Sequence, residues 1–211
     1  MAKGTKIPTH TIERLALYSR PLEALLKNSP SLISSEKLAE LCGVNPAQVR
    51  KDLAYFGEFG VRGVGYDVKE LLQQIKKILA TDREWKLCIV GMTNLGYALL
   101  ENENFKRRGY TFVAAFDSRS QNLGKKSSSG LTVQPFSRIK ELVGMLGIEI
   151  GVITTSPFEA QRAADLLVDA GIGAIMNFSP AQVRVKGPRV VENVDFTVKL
   201  ENLAYHLGKI P

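Results

Sequence analysis

The chain has 211 residues, of which 45% are hydrophobic and 23% charged, a composition typical of a globular protein and long enough for two domains. No run approaches the roughly 20 apolar residues that span a bilayer, and no apolar stretch follows the basic start, so we expect a cytoplasmic protein with no membrane partner. The net charge of +7 is compatible with a polyanionic partner.

Three short helices are predicted at the start of the chain. Apolar residues spaced three and four apart predict an amphipathic helix over residues 11–26. A second helix is predicted over residues 34–42, beginning at a serine hydroxyl and ending at Gly43. Asn45 is a capping residue for a third helix over residues 46–56. The tight turn between the second and third helices predicts a helix-turn-helix, whose second helix enters the major groove of DNA.

The third predicted helix carries a polar face that suits double-stranded DNA. Gln48, Arg50 and Lys51 lie away from its apolar face and are the types that contact adenine, guanine and phosphate, respectively. A solvated basic face has the same pattern, but the glycine-rich segment 57–66 that follows favours a short β-ribbon, either a plain hairpin or the wing of a winged helix. The predicted DNA contacts are Gln48, Arg50, Lys51, Tyr55, Arg62 and Gly63.

A fourth helix and a polar link complete the first predicted domain. Asp67 is a capping residue for a helix over residues 68–79, where apolar residues keep a period of about 3.6. Residues 81–84 form a short polar link. We therefore assign residues 1–84 to a winged-helix DNA-binding domain.

The second half opens on a strand, a glycine turn and a helix, in the order of a dinucleotide-binding fingerprint. A buried strand is predicted over residues 87–90, and Gly91 and Gly96 fill the first and last positions of G-x-G-x-x-G. A second strand over residues 112–116 ends at Asp117, whose carboxylate suits a ribose hydroxyl.

Alternating strand and helix patterns continue along the chain. Strands are predicted over residues 148–153 and 174–176, with a helix over residues 157–170 between them. This alternation predicts an α/β fold with a Rossmann-like, doubly wound parallel sheet. We assign residues 85–195 to an NAD(H)-binding domain of this type.

The middle glycine of the fingerprint is replaced by Thr93, whose β-branched side chain obstructs the approach of a pyrophosphate. The two remaining glycines serve either a dinucleotide or only the packing of the turn, and the residues alone leave both open. If an adenine dinucleotide binds, Asp117 repels a 2′-phosphate and so favours NAD(H). The neighbouring Ser118 and Arg119 weaken this preference for NAD(H). The candidate cofactor contacts are Gly91, Met92, Thr93, Asn94, Leu95, Gly96, Asp117, Ser118, Thr155 and Pro157.

The last predicted helix follows Asp195 and is apolar over too much of its circumference for a surface helix. Such a helix is either buried in its own domain or packed against a partner subunit. The second alternative fits a homodimer, which helix-turn-helix proteins commonly need in order to reach two half-sites. Residues 196–211 are therefore assigned to a dimerisation helix.

With these residues in view, the sequence resembles the Rex family of bacterial redox-sensing repressors over nearly the whole chain. The segments that carry the resemblance are RLALYSRPLEAL from Arg14, VRKDLAYFGEFGVRGVGY from Val49, GMTNLGYAL from Gly91, AAFD ending at Asp117, NFSP from Asn177 and ENVDFTVKLENLAYHL from Glu192. The resemblance implies a homodimer with an exchanged C-terminal helix, which binds operator DNA when NAD(H) is oxidised and releases it when NADH binds.

In that scheme Arg20 and Asp195 belong to an interdomain contact that couples the ligand to the DNA-binding domain. Two departures from the family pattern bear on sensing: Thr93 replaces a glycine, and Asn102 stands where the family often has a tyrosine near the nicotinamide. Both would affect the response to NADH rather than the binding of DNA, so an alternative is a Rex-like repressor with a weakened or lost response.

An NAD-dependent oxidoreductase is the main competing interpretation, and the residues disfavour it. The histidines His10 and His206 lie near the chain ends, and no Tyr and Lys stand four apart on a helix of the α/β half to act as acid and base. Two cysteines and two histidines far apart in sequence give neither a disulfide framework nor the ligand spacings of a metal site. We expect a regulator that is not an enzyme and binds no metal.

Overall fold

A computed structural model describes residues 7–26, 31–61 and 63–209. The chain divides into two compact units, Met1–Arg83 and Glu84–Pro211. Buried apolar residues form one core in the first unit and a core on each face of the sheet in the second.

The first unit is mainly helical. Its elements are α1 (Thr9–Leu26), β1 (Leu32–Ile33), α2 (Ser35–Cys42), α3 (Pro46–Ala54), β2 (Tyr66–Asp67) and α4 (Val68–Ile78). The two short strands pair antiparallel, with Ile33 opposite Tyr66. The largest fully buried side chains of this core are Tyr18, Leu15, Leu22, Leu38, Leu53, Leu71 and Ile75.

The caps of α2 and α3 lie where the sequence predicts them. The Ser34 hydroxyl accepts the Lys37 N–H at 3.1 Å, and Gly43 ends α2 in the left-handed conformation at φ 65°. Asn45 caps α3 by accepting the Ala47 N–H at 2.8 Å. The predicted helix-turn-helix is therefore confirmed.

The third helix is two residues shorter than predicted because its last turn tightens. The N–H groups of Tyr55 and Phe56 donate to carbonyls three residues back, a 3₁₀ pattern. Phe56 still packs against the core. The glycine-rich segment after α3 is also less regular than a full ribbon.

That segment forms one antiparallel bridge, between Val61 and Gly65, whose N–H and carbonyl groups are exchanged at 3.0 Å. Close backbone approach requires glycine here, since a Cβ on Gly65, at φ +107°, would lie 2.5 Å from the Ile33 carbonyl oxygen. Arg62, one of the predicted DNA contacts, lies outside the described residues. We call residues 61–65 the glycine ribbon.

The second unit alternates strands and helices. Its elements are β3 (Trp85–Val90), α5 (Asn94–Leu100), α6 (Glu103–Arg107), β4 (Tyr110–Asp117), β5 (Val133–Pro135), α7 (Ile139–Leu146), β6 (Ile150–Ile153), α8 (Pro157–Asp169), β7 (Ala174–Asn177), β8 (Val190–Asn193) and α9 (Phe196–Leu207), with 3₁₀ helices at Ser120–Asn122 and Phe136–Arg138.

The six strands pair in parallel in the order β5-β4-β3-β6-β7-β8. The chain order runs outward in both directions from the neighbours β3 and β6, which makes the gap between their carboxyl ends the topological switch point. This confirms the predicted Rossmann-like, doubly wound sheet. Ligands of such folds bind in the crevice at that edge.

The last helix, α9, is not buried in its own unit. Six of its large apolar side chains are 55% to 68% exposed, namely Phe196, Val198, Leu200, Leu203, Tyr205 and Leu207. One contact with the rest of the unit is a stacked ring pair of Phe196 with Phe178, the residue after β7, at 6.0 Å between centroids. Of the two predicted alternatives, burial within the same domain is therefore wrong.

Candidate functional sites

The exposed side of α3 carries two cations. The side chain of Arg50 is 54% exposed, and its Nη1 donates to the Ser35 hydroxyl at 2.7 Å and to the Glu36 carboxylate at 3.1 Å. Lys51 is exposed, as is Gly63 in the glycine ribbon. Hydrogen bonds to α2 therefore orient the guanidinium while its other nitrogens keep their donors.

Gln48 differs from the prediction that it lies free of the core. It is half-buried, and its Nε2 donates to Asp52 Oδ1 at 2.8 Å, one turn along the same helix. Tyr55, another predicted contact, is also half-buried. A buried carboxylate needs donors, and the amide of Gln48 supplies one from α3 itself.

Asp52 is the centre of a hydrogen-bond network that the sequence interpretation missed. Its fully buried carboxylate accepts from Arg14 Nε at 2.6 Å, from Arg14 Nη2 at 2.7 Å and from the Tyr18 hydroxyl at 2.7 Å. The Thr11 hydroxyl also donates to Asp52 Oδ1, at 3.2 Å. Burial would raise the pKa of Asp52, but the hydrogen bonds from Arg14, Tyr18 and Gln48 outweigh it and lower that pKa.

The sequence contains one signal for this network, which is an acidic residue among the apolar positions of a helix. Asp52 lies between Val49 and Leu53 on the inner face of α3, whereas Arg14 and Tyr18 lie one turn apart on α1. The network therefore joins the inner face of α3 to α1, which fixes the orientation of the exposed face.

The turn between β3 and α5 is packed so closely that two glycines are required. A Cβ on Gly91, at φ +101°, would lie 2.6 Å from the Thr155 nitrogen, and one on Gly96 would overlap the Gly91 carbonyl oxygen. Met92 is buried in this turn, Asn94 is exposed and Leu95 is half-buried. Most predicted cofactor contacts thus lie together at the switch point.

Thr93 has a structural role that the pattern did not predict. Its hydroxyl accepts the Gly96 N–H at 3.2 Å and donates to the Thr154 carbonyl at 3.0 Å, so Thr93 caps α5. The backbone at Thr93, with φ −80°, does not need glycine. Its predicted obstruction of a pyrophosphate remains a prediction.

Asp117 ends β4 and is buried. Only 2% of its side chain is exposed, and it accepts hydrogen bonds from the Met92 N–H at 2.7 Å, the Arg119 guanidinium at 2.9 Å and Asn122 at 2.9 Å. Burial opposes ionisation, but these donors hold the pKa of Asp117 well below its usual range. Asp117 thus orders the glycine turn through these hydrogen bonds, and its contact with a ribose hydroxyl stays a prediction.

Two buried hydroxyls lie unpartnered where β6 and β7 end. Thr155 and Ser179 each stand two residues beyond the last paired residues, Ile153 and Asn177. Both side-chain oxygens are buried, and neither has a hydrogen-bond partner among the residues that the structure describes. Thr155 was predicted as a cofactor contact, whereas Ser179 was not.

The remaining predicted contacts lie around the same edge of the sheet. Pro157 begins α8 and is exposed. Ser118 is exposed just after β4, and its hydroxyl donates to the Glu159 carboxylate at 2.5 Å. The C-terminal halves of the strands therefore bring most of the predicted cofactor residues together.

The residues linked with sensing have local roles in each unit. Asn102 caps α6 by accepting the Asn104 N–H at 3.0 Å, a task that a tyrosine side chain does not perform. Asp195 caps α9 by accepting the Thr197 N–H at 2.8 Å, and Arg20 is exposed on α1. Arg20 and Asp195 belong to different units, so their interdomain contact stays a prediction.

Neither thiol is exposed. Cys42 is half-buried and Cys88, on β3, is fully buried, and both are free. Burial raises the pKa of the Cys88 thiol to about 12 and also raises that of Cys42. Across the described ranges, no group of three or more His, Cys, Asp or Glu is placed to hold a metal ion, and none of the helices there is long and apolar enough to cross a membrane.

A helix-turn-helix with a glycine ribbon, joined to a parallel sheet with a glycine turn at its switch point, defines a DNA-binding regulator built on a nucleotide-binding fold. The chain matches a family model described as "Putative DNA-binding protein N-terminus" over residues 6–54 and one described as "CoA binding domain" over residues 82–181. It is 52% identical over 206 residues to the redox-sensing transcriptional repressor Rex of Syntrophobacter fumaroxidans, with 98% of each chain covered.

Solved structures of a Rex-family repressor, RSP, are similar over the full length. RSP in complex with β-NAD⁺ and operator DNA gives a TM-score of 0.91 at 36% identity, covering 98% of this chain and 94% of that chain. RSP in complex with β-NADH gives 0.85 at 34% identity, covering 98% and 96%. The chain therefore belongs to the Rex family of redox-sensing transcriptional repressors.

Proposed function

We propose that this chain forms a homodimer that represses transcription by binding operator DNA and releases the DNA when NADH binds. The observation that carries the proposal is the full-length similarity to RSP, which has been solved with operator DNA and β-NAD⁺ and separately with β-NADH. The residues of each unit support the two halves of the proposal.

For DNA, α3 is proposed to lie in the major groove. Arg50 contacts Ser35 and Glu36 through Nη1 alone, so its other donors are available to the O6 and N7 acceptors of a guanine. Lys51 is proposed to neutralise a phosphate. The remaining proposed contacts are Gln48, Tyr55, Arg62 and Gly63.

For the cofactor, the carboxyl edge of the sheet fits an adenine dinucleotide. A buried hydroxyl without a partner costs about 1–3 kcal/mol, and a ligand that bonds to Thr155 and Ser179 would recover that cost. The glycine turn brings the backbone close to the same edge. When bound, NAD(H) would supply the redox signal, held by residues 91–96, Asp117, Ser118, Thr155 and Pro157.

For the dimer, α9 is proposed to pack against the partner subunit. Six large apolar side chains at more than half exposure form a patch that a monomer rarely leaves in water. We accordingly propose residues 1–84 as the DNA-binding domain, 85–195 as the NAD(H)-binding domain and 196–211 as the dimerisation helix. The protein is proposed to act in the cytoplasm.

The test is binding of the purified full chain to duplexes selected from a random DNA library, followed by fluorescence anisotropy. We expect a selected duplex to be preferred over random competitor at moderate salt, with the complex stable in NAD⁺ and dissociated by NADH. Absence of any preferred duplex would contradict the repressor. We also propose that the chain is no enzyme, so sustained NADH turnover with carbonyl compounds would contradict that part.

Two residues favour a second candidate, a repressor whose NADH response is weakened or lost. The hydroxyl of Thr93 and the amide of Asn102 are both engaged in helix caps at the sites of the family departures. Saturating NADH that leaves operator affinity unchanged would select this candidate.

A further inference from the structure

Three polar side chains of α2 and α3 are joined by hydrogen bonds. Nη1 of Arg50 donates to the Ser35 hydroxyl at 2.7 Å and to Glu36 Oε1 at 3.1 Å. The Ser35 hydroxyl donates its own hydrogen to the same Oε1 at 3.1 Å. The serine oxygen therefore receives one hydrogen and gives one, while the two hydrogens of Nη1 have two acceptors.

This arrangement determines which edge of the Arg50 guanidinium is left for DNA. An arginine can reach the O6 and N7 acceptors of a guanine with two N–H groups, either those of Nη1 and Nη2 or those of Nε and Nη2. The hydrogen bonds of Arg50 to Ser35 and Glu36 both use Nη1, so the edge formed by Nε and Nη2 remains for a base. A guanidinium that is already held in place loses less side-chain freedom on binding.

Glu36 brings a negative charge to the surface proposed to face DNA. Its side chain is 66% exposed, and that of Arg50 is 54% exposed. Both line an open groove of about 680 Å³ between α3 and the glycine ribbon. Hydrogen bonds from its own backbone N–H and from nearby side chains lower the pKa of Glu36, so the carboxylate is ionised at neutral pH. It therefore competes with DNA phosphates for the guanidinium.

The competition acts differently on operator and random duplexes. A free arginine could turn to a phosphate of any duplex, which would add affinity without regard to sequence. Held by Glu36, Arg50 gains affinity only where a guanine presents both of its acceptors. Specificity is a difference of affinities, so withholding a contact from random DNA increases it.

We propose that Glu36, together with Ser35, is a positioning residue for sequence selection, which keeps Arg50 away from the phosphates and presents its Nε and Nη2 edge to one guanine of the operator. The inference rests on the proposed function, because it specifies how the same surface distinguishes operator from random DNA. An exposed ion pair contributes little to folding, so Glu36 can be changed without unfolding the domain.

The experiment compares the full chain with Glu36→Gln by fluorescence anisotropy, on a selected operator duplex and on a random duplex of equal length. In the variant, affinity for the random duplex should rise by about threefold or more, and its salt slope should steepen by about one, because Arg50 becomes free to bind a phosphate. Operator affinity should hold or fall. The ratio of the two affinities should therefore decrease.

Replacement of single guanines by 7-deazaguanine, which lacks the N7 acceptor, tests the base contact itself. For the wild type, removal of N7 from one guanine of the operator should weaken binding by about fivefold or more. Arg50→Ala should abolish this loss, and Glu36→Gln should reduce it. Ser35→Ala keeps the charge of Glu36 but removes one acceptor of Nη1, so it should reduce the loss without raising affinity for the random duplex.

Glu40→Gln is the matched control, because Glu40 is an exposed carboxylate on α2 that pairs with Lys37. It should leave the affinity ratio and the N7 loss unchanged.

The outcomes separate this inference from the proposed function. Wild-type protein that prefers the operator, with the same ratio and the same N7 loss in Glu36→Gln, overturns the inference and leaves the repressor intact. Wild-type protein that prefers no duplex overturns both. Equal weakening on both duplexes in Glu36→Gln also overturns the inference, since it would mean that Glu36 only supports the fold of α2.

Discussion

The carboxylate of Asp52 joins two helices that are distant in sequence. It lies on the inner face of α3 and accepts two hydrogen bonds from Arg14 and one from Tyr18, both on α1. Because Arg50 and Lys51 lie on the same helix, any rotation of α3 about this anchor moves them relative to a duplex. The buried charge of Asp52 thus bears on the proposed recognition of DNA by α3.

We predict that Asp52→Asn lowers stability by ~3 kcal/mol and operator affinity by a larger factor than non-specific affinity. The variant leaves Arg14 without its charged partner and loosens the seat of α3. Urea unfolding and anisotropy with operator and random duplexes provide the measurements. Glu40→Gln, an exposed carboxylate paired with Lys37, is the control and should change neither. Equal loss of both DNA affinities would mean that Asp52 only stabilises the fold.

The lowered pKa of Asp52 also predicts a pH dependence. A carboxyl whose pKa is lower in the folded state contributes stability above its unfolded value, about 3.9, and loses it as pH falls toward the folded value. Stability should therefore decline below about pH 5, and the decline should be shallower in Asp52→Asn. Urea unfolding at several pH values from 7 to 3 measures this, and parallel pH curves for the two proteins would contradict it.

Arg50→Ala is expected to cost roughly 1–3 kcal/mol of operator binding as a lost base contact. Lys51→Ala should weaken all duplexes alike and reduce the salt slope by about one. Anisotropy over a range of salt concentrations distinguishes the two effects. Lys77→Ala, a basic residue in the last turn of α4, serves as the control. Unchanged binding in both α3 variants would remove this helix as the reader.

Thr93→Gly is predicted to tighten NADH binding by about tenfold or less, because it removes the side chain from the approach of the pyrophosphate. Loss of the cap costs only a few tenths of a kcal/mol when glycine replaces threonine. Thr93→Ser separates the two effects, since it keeps the capping hydroxyl and removes the methyl group. If NADH titration gives the wild-type Kd for both variants, the steric explanation is wrong.

The helices and strands that the sequence predicts are those whose signals are local. Capping residues such as Ser34, Asn45 and Asp67 act within three residues of their own helix, so their positions are readable without the fold. By contrast, β5, β8, α6 and α7 are absent from the predicted elements. The two strands are short edge strands, and strand pairing at an edge depends on partners far along the chain.

The candidate sites follow the same division. Gly91 and Gly96 are predictable because a glycine spacing reports a tight turn. The hydrogen bonds of Asp117 and Gln48 cannot be predicted from the sequence, because they depend on which donors the fold brings to a buried carboxylate. Arg119 stands two residues from Asp117 in sequence, but only the three-dimensional arrangement reveals that Arg119 donates hydrogen bonds to the Asp117 carboxylate.

The exposed helix α9 leads to a prediction on assembly. Leu200→Asp combined with Leu203→Asp should raise the dimer dissociation constant by about a hundredfold or more, since each buried leucine contributes about 1.5–3 kcal/mol. Analytical ultracentrifugation measures the change. Glu201→Gln on the same helix is the control. A double variant that remains a dimer at low concentration would place the dimer interface elsewhere.

In the whole molecule, sensing requires that the two binding events be coupled. If NADH lowers operator affinity by some factor, linkage requires that operator DNA lower NADH affinity by the same factor. Titrating NADH into the dimer with and without a saturating operator duplex measures the second factor directly. We expect the two factors to agree. In Arg20→Ala, both factors should fall toward one, while NADH and operator DNA each still bind in the absence of the other. Agreement at a factor of one in the wild type would select the repressor without a response.

The two thiols bear on how such a protein registers oxidation. Cys88 lies inside the sheet, and its pKa of about 12 leaves almost no thiolate at neutral pH, while burial raises the pKa of Cys42 in the same direction. Oxidants such as peroxides attack the thiolate, so neither sulfur is a ready target. Such a repressor is expected to respond to oxidation through the reversible binding of NAD(H). Exposure to peroxide should therefore leave its operator affinity unchanged unless the ratio of NADH to NAD⁺ also changes.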